Sequence, residues 1–352
     1  MTGEAPIQEA FALQAVACDE LGSPFMGRLC RLIGARLASG QGAVAERLLS
    51  WPSDPTYRAD SVPLRLAGGL HALVLSGASP ALVAVFPPRH DAIDDDALWS
   101  AVSSAMVEHE ALLQRWLDSP PQTNEVRRSA ALYLGLTVLA QALGLPVVLT
   151  EIGASAGLNL NLDRYAYRFS ATAAGEAGSS LTLAPDWRGP SPPAAEVVVA
   201  ERRGCDISPL DIDSEEGRLR LLSYLWADQA ERLVLTRAAL EIAAAHPVTV
   251  ERRDAAAFVA ARLAEPSGGR LHVVAHSIMW QYMPEATQAA IRESLDEAGC
   301  RATAARPLAW LRLEPDGRKP GAGLALTLWP GGETRQIARC DFHGRWIEIA
   351  ET

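Results

Sequence analysis

Seven consecutive residues, Glu151-Ile-Gly153-Ala-Ser155-Ala-Gly157, carry the most chemistry for their length. A carboxylate two positions before one glycine, with a second glycine four residues on, suits a loop that cradles a nucleotide cofactor. Glycines let backbone amides approach a ligand, and a following helix turns its N-terminus toward an anion. The same residues contain Gly153-x-Ser155-x-Gly157, the spacing of a nucleophile elbow, in which a tight turn presents a serine hydroxyl for acyl transfer. Further along, Asp206 in Cys-Asp-Ile-Ser-Pro and Asp254 in Arg-Asp-Ala255-Ala-Ala-Phe each follow an apolar run, and His276-Ser277-Ile-Met-Trp280-Gln-Tyr282 follows another. Carboxylates in such places accept hydrogen bonds from hydroxyl and amino groups. His276 can act as a general base near neutral pH, and Tyr282 or Trp280 can stack on or orient a small acceptor molecule.

Such residues need strands to hold them. From 145 onward the sequence alternates between strand and helix patterns. Strands are predicted at 147–149, 196–201, 247–254, 271–276, 308–313, 324–329 and 346–349, and helices at 215–227, 230–245, 255–264 and 284–298, with another starting at 158. These seven strands predict a mostly parallel sheet whose last two members, lacking a crossover helix, run antiparallel. A Gly/Ser/Pro-rich stretch at 170–195 reads as an insertion with a hairpin near 180–184. Upstream, three- and four-residue apolar spacing predicts helices at 7–19, 24–38, 42–50, 63–75, 95–117 and 125–143, the last capped by Gln122-Thr-Asn124-Glu125; only 82–86 is strand-like. The expected organisation is an α/β protein: a helical domain over 1–144, then a sheet domain over 145–352. Asp228 reads as an N-cap, Trp226 as core, and His272 as a buried, hydrogen-bonded residue.

The two readings of the loop make different demands. In α/β-hydrolases the elbow serine follows several earlier strands, and here almost none precede it, although His343 with Asp316 or Asp341 completes the Ser–Asp–His order. The ordered acids, in contrast, resemble Rossmann-like S-adenosylmethionine-dependent methyltransferases. In these a first strand ends in an acid and a glycine loop, and acids after the second and third strands meet the ribose and adenine. That resemblance implies a seven-stranded methyltransferase-type domain in which Glu151, Gly153, Ser155, Gly157, Asp206, Asp254, Ala255 and Ser277 surround S-adenosylmethionine. His276 and Tyr282 would then serve a small-molecule methyl acceptor. Two features depart from the pattern: Ser155 replaces a middle glycine, at little cost if its backbone is not left-handed, and about fifty residues separate the loop from Asp206. A nicotinamide cofactor is not indicated, since no GxGxxG follows the first strand. A non-catalytic ligand-binding protein is the third reading.

Over most of its length the chain also resembles a bacterial family known as domain of unknown function 2332. The resemblance rests on Glu151 to Asn159, Asp163-Arg-Tyr, Arg203-Gly-Cys-Asp206, Pro209-Leu-Asp211, Trp226-Ala-Asp-Gln229, His276 to Tyr282, Pro307-Leu-Ala-Trp310, Trp329-Pro-Gly-Gly and His343-Gly. It implies no substrate.

Composition narrows the partners. The 352 residues are 49% apolar and 21% charged, as in ordinary globular proteins, and a net charge of −10 argues against a protein-wide grip on nucleic acid or anionic membrane. Lys319 is the single lysine, and the five cysteines show no CxxC or Cys/His ladder, so neither a disulfide framework nor a metal site is signalled. No apolar run reaches the ~18 residues of a membrane span. A cytoplasmic protein is expected.

Overall fold

The computed structural model describes residues 4–89 and 93–350. Two compact units divide the chain, one made of residues 1–123 with 212–234, the other of 124–211 with 235–352. The sequence boundary at 144 thus falls inside the second unit, and a short later segment belongs to the first.

In the first unit, helices α1 (Glu4–Glu20), α2 (Pro24–Arg36), α3 (Ala43–Leu49), α4 (Val62–Leu75), α5 (Pro80–Val85), α6 (Asp95–Glu108) and α7 (Glu110–Leu117) surround an apolar core that includes Phe11, Ile33, Leu66, Leu70 and Met106. The strand-like run at 82–86 lies largely within α5, because Ser79 accepts a hydrogen bond from Leu82 N and Pro80 sits at the first helical turn. The single helix expected over 95–117 is two, broken at His109. Helix α9 (Glu215–Ser223) joins this unit through Ser223, whose carbonyl meets His71 Nδ1 at 3.1 Å and whose hydroxyl accepts from Trp116 Nε1 at 3.1 Å. Trp226 is core, as expected. Asp228, just before α10 (Ala230–Ala245), accepts from Ser23 Oγ and from Phe25 N, so its side chain caps α2.

The second unit is built on a nine-stranded sheet, two strands more than the sequence pattern indicated. Its strands are β1 (Val147–Ile152), β5 (Asp186–Arg188), β6 (Val199–Asp206), β7 (Val250–Arg252), β8 (Leu271–Ser277), β9 (Leu308–Glu314), β10 (Ala322–Trp329), β11 (Glu333–Cys340) and β12 (Trp346–Ile349). Their order is β5-β12-β11-β10-β9-β8-β1-β6-β7. The block β7-β6-β1-β8-β9 is parallel throughout, and β9 to β12 form an antiparallel meander. Strand β11 escaped prediction because it is the polar, mostly exposed run Glu-Thr-Arg-Gln-Ile-Ala-Arg-Cys, which lacks a buried face over its first half. Strand β5 lies in the insertion and pairs with β12 at the edge.

Helices cover both faces. Helix α8 (Arg128–Leu143) lies against β9, with Gly135 so close that a Cβ there would come within 2.4 Å of Leu311. On the opposite face α11 (Ala255–Ala264) and α12 (Glu285–Cys300) bury Phe258, Val259, Ile291 and Leu295 against Ile152, Cys205, Val274 and Trp310. A small sheet, β3-β2-β4, joins β2 (Ala166–Phe169), just before the expected insertion, to β3 (Thr172–Gly175) and β4 (Thr182–Leu183) within it; in place of a hairpin near 180–184, β4 pairs parallel with β2. It is held by an aromatic ladder: Tyr133 stacks on Tyr167 at 4.3 Å, Tyr167 on Phe169 at 5.6 Å, and Phe169 meets Trp187 at 4.9 Å. Among the described residues no helix is long and apolar enough to cross a membrane. Because Phe169 is fully buried in this ladder, Phe169→Ala is expected to cost about 3–5 kcal/mol, measured as a fall in the denaturation midpoint.

Candidate functional site

The site begins with the way β1 ends. β1 is flanked by β6 and β8, both parallel, with Glu151 opposite Gly204 and Ala275. All six of its residues are buried, so the sheet carries Glu151 into a region without water. Burial pushes its carboxyl up to about 8; a hydrogen bond from Asn159 opposes the shift, Asp206 adds to it and Arg128 reduces it. Its Oε2 is buried and has no hydrogen-bond partner among the described residues. An uncharged carboxyl in such a place can both donate and accept.

The loop that follows turns through three left-handed residues, Gly153 at φ 66°, Ser155 at φ 54° and Gly157 at φ 73°. The low cost expected for Ser155 depended on an ordinary backbone conformation, and that condition fails. A side chain in this region costs roughly 1–2 kcal/mol. The surroundings hold it there: Ser155 N donates to Asp206 Oδ2 at 3.0 Å, Leu210 N to Ser155 O at 3.3 Å, and Ala154 N to Cys205 O at 3.0 Å. Ser155 Oγ is buried without a hydrogen-bond partner among the described residues. The space left by the two glycines is filled by protein: a Cβ on Gly153 would come within 2.8 Å of Met279, and one on Gly157 within 2.8 Å of Val248 and Val250. After the turn comes a 3₁₀ helix, Leu158–Arg164, in place of the expected α-helix.

Asn124 supplies the start of that short helix by accepting from Leu158 N at 2.8 Å. The predicted capping segment 122–125 therefore serves the glycine loop, and α8 begins only at Arg128. At the start of α8 the Arg128 guanidinium donates to Phe342 O at 2.9 Å and Ser277 O at 3.5 Å and draws down the Glu151 carboxyl, placing a positive charge beside the loop. Two adjacent arginines at a helix start carried no signal of this; it depends on the turn after β11 reaching α8.

Among the other predicted residues, Asp206 is brought to the loop: Oδ2 takes Ser155 N, and Oδ1 takes Ser208 N at 2.8 Å. Asp254 caps α11 by accepting from Ala257 N at 3.0 Å and is exposed, with Ala255 opening that helix. Asp206 and Asp254 both bear on Cys205, which burial pushes up to about 12. Ser277 ends β8. Tyr282 is 71% exposed on the short turn Trp280–Tyr282.

His276 differs most from its expected part. It is fully buried, its Nδ1 meets Glu314 Oε1 at 2.7 Å, and Trp310 Nε1 donates to its Nε2 at 3.0 Å. An indole can only donate, so Nε2 is the acceptor and Nδ1 carries the proton given to Glu314. With both nitrogens engaged, the ring has none to offer a ligand as a base; it positions Glu314 and Trp310. His272 is buried as expected, with Thr150 Oγ1 at 2.9 Å, and burial lowers it to about 4. The acids proposed for a serine triad are committed elsewhere: Asp316 pairs with Arg339 and Asp341 with Arg345.

The fold and this loop define an α/β protein with polar and small residues gathered at the carboxyl ends of parallel strands, where such sheets take ligands. The chain belongs to the family described as "Uncharacterized protein conserved in bacteria (DUF2332)", whose model matches residues 8–349. Comparison with curated proteins and with solved structures gives no match.

The raised carboxyl has a consequence for stability. Between the ordinary glutamate value of 4.5 and about 8, the folded chain holds a proton on Glu151 that the unfolded chain releases. Stability therefore falls as pH rises through that window and levels off above it. Glu151→Gln removes roughly one proton from this dependence and should flatten urea midpoints measured between pH 5 and pH 9; an unchanged slope would show that Glu151 is not its source.

Proposed function

We propose that the carboxyl ends of β7, β6, β1 and β8 bind S-adenosylmethionine and that the chain is a methyltransferase acting on a small molecule. The observation that carries this reading is the strand order. Taken from β7 to β9, the parallel block follows the 3-2-1-4-5 order of Rossmann-type sheets, and the order reverses at β1, near whose end Glu151 has one carboxyl oxygen, Oε2, with no hydrogen-bond partner among the described residues. The antiparallel meander beyond β9 departs from that plan.

The residues present fit such a cofactor in kind. Glu151 has a buried oxygen and Ser155 a buried hydroxyl with no hydrogen-bond partner among the described residues, and Asp206 stands at the loop, accepting from the amides of Ser155 and Ser208. Asp254 Oδ1 holds the first turn of α11, which Ala255 opens. Asp206 and Asp254 would accept from the nucleoside's hydroxyl and amino groups, and Ser277 would lie at the edge nearest the acceptor. When bound, the cofactor supplies an electrophilic methyl group. The chain's own part is to hold the acceptor in line with it and to exclude water, and Met279, already over Gly153, is placed to do the latter.

Calorimetric titration and thermal shift with S-adenosylmethionine and S-adenosylhomocysteine test this. Saturable binding is expected, weakened about tenfold or more by Asp206→Asn; no heat and no shift at about millimolar ligand would end the proposal.

One observation favours a second reading, a serine hydrolase: Ser155 occupies a left-handed turn directly after a strand, as an elbow nucleophile does. A fluorophosphonate probe separates the two. On the first reading the chain stays unlabelled, whereas labelling that disappears in Ser155→Ala would establish the hydrolase.

A further inference from the structure

An open cleft of about 460 Å³ lies over one face of β9, β10 and β11. Trp310, Arg312 and Glu314 alternate onto that face from β9, Gly323 and Ala325 line it from β10, and Trp280 and Arg292 close the side. The tryptophans form a tilted pair at 5.4 Å. Each carries a guanidinium: Arg312 sits 3.9 Å from the Trp310 centroid and Arg292 5.0 Å from that of Trp280. Stacking uses the flat face of a guanidinium and leaves its N–H edge for a partner.

That edge is underused. Arg312 donates to Thr327 Oγ1 at 3.3 Å and Arg292 to Gln288 Oε1 at 3.2 Å, and among the described residues no carboxylate pairs with either. Burial, then the nearby charge of Arg292, pushes the half-buried Arg312 guanidinium below its ordinary value. The acids lining the cleft do not answer it. Asp316 is taken by Arg339, and Glu314 directs Oε1 inward to His276 Nδ1, Met279 N and Trp280 N. Glu314 Oε2 is itself buried and has no hydrogen-bond partner among the described residues. Two unanswered cations and one half-used carboxylate therefore share a cleft with two indole walls.

We propose that this cleft binds a small zwitterion of the α-amino acid type, its carboxylate on Arg312 and Arg292, its ammonium on Glu314, and its side chain against Trp280 and Trp310. Arg312 and Glu314 are two residues apart on β9 and so project onto the same face, which puts a cation and a carboxylate in one cleft. A phosphate fits less well, because Glu314 would repel it while its own free oxygen stayed unsatisfied. The proposal needs no cofactor and stands whether or not the glycine loop binds one.

The test is intrinsic tryptophan fluorescence with calorimetry on the full chain, titrated with the common L-amino acids, their decarboxylated amines, their deaminated acids and inorganic phosphate. At least one apolar or aromatic amino acid is expected to give a saturable change, with its amine and its deaminated acid each weaker by tenfold or more. Arg312→Met should weaken the amino acid at least tenfold, and so should exposed Arg292→Ala, which guards against misfolding of the first variant. Glu314→Gln should weaken the amino acid but not the deaminated acid. Phosphate binding as tightly as any amino acid, no saturable change across the panel, or full binding in a folded Arg292→Ala and Arg312→Met would each overturn it.

Discussion

A carboxyl group taken out of water at the end of the central strand sets the terms for the second unit. The sheet buries β1 on both faces, and the cost of burying Glu151 is lowered by keeping its proton, by the Asn159 hydrogen bond and by the charge of Arg128. Arg128 is held in turn by carbonyls from the end of β8 and from the turn after β11. The carboxyl thus ties together the start of α8, the glycine loop and the last turn of the chain. A hydrophobic residue at 151 would pack more cheaply, so the acid is carried at a cost in stability.

Around it, polar side chains are used to fix backbone rather than left open. Asp206 binds the amides of two separate turns, Asn124 starts a 3₁₀ helix distant from it in sequence, and Ser155 is kept left-handed by the hydrogen bonds on either side of it. Strain at such a position persists only where the surroundings over-determine it, and strained residues concentrate at functional sites. The same economy holds at the end of β9. His276 is consumed in orienting Glu314 and Trp310, which leaves the chemistry of that region to the arginines, the indoles and one carboxylate oxygen.

Much of the architecture was legible in the sequence. The runs at 147–149 and 271–276 read as buried strands and lie within β1 and β8, and the helices α1, α2, α4, α11 and α12 follow their apolar spacing to within a few residues. The glycines at 153 and 157 announced a turn, and the acids at 206 and 254 fell where parallel strands stop. What failed was local pattern without a buried face: β11 is polar, β5 is three residues long, and the run at 82–86 has strand-forming residues captured by a helix cap and a proline.

Hydrophobic period and turn chemistry, which act over a few residues, were therefore settled by the sequence alone: the α/β class, the strand-to-helix alternation and the loop at Glu151. The tertiary structure decided the roles. Whether Ser155 is left-handed, whether His276 has a nitrogen to spare, and whether Arg128 faces water or Glu151 all depend on groups far away in sequence, since desolvation and hydrogen-bond competition are properties of a packed environment and not of a residue.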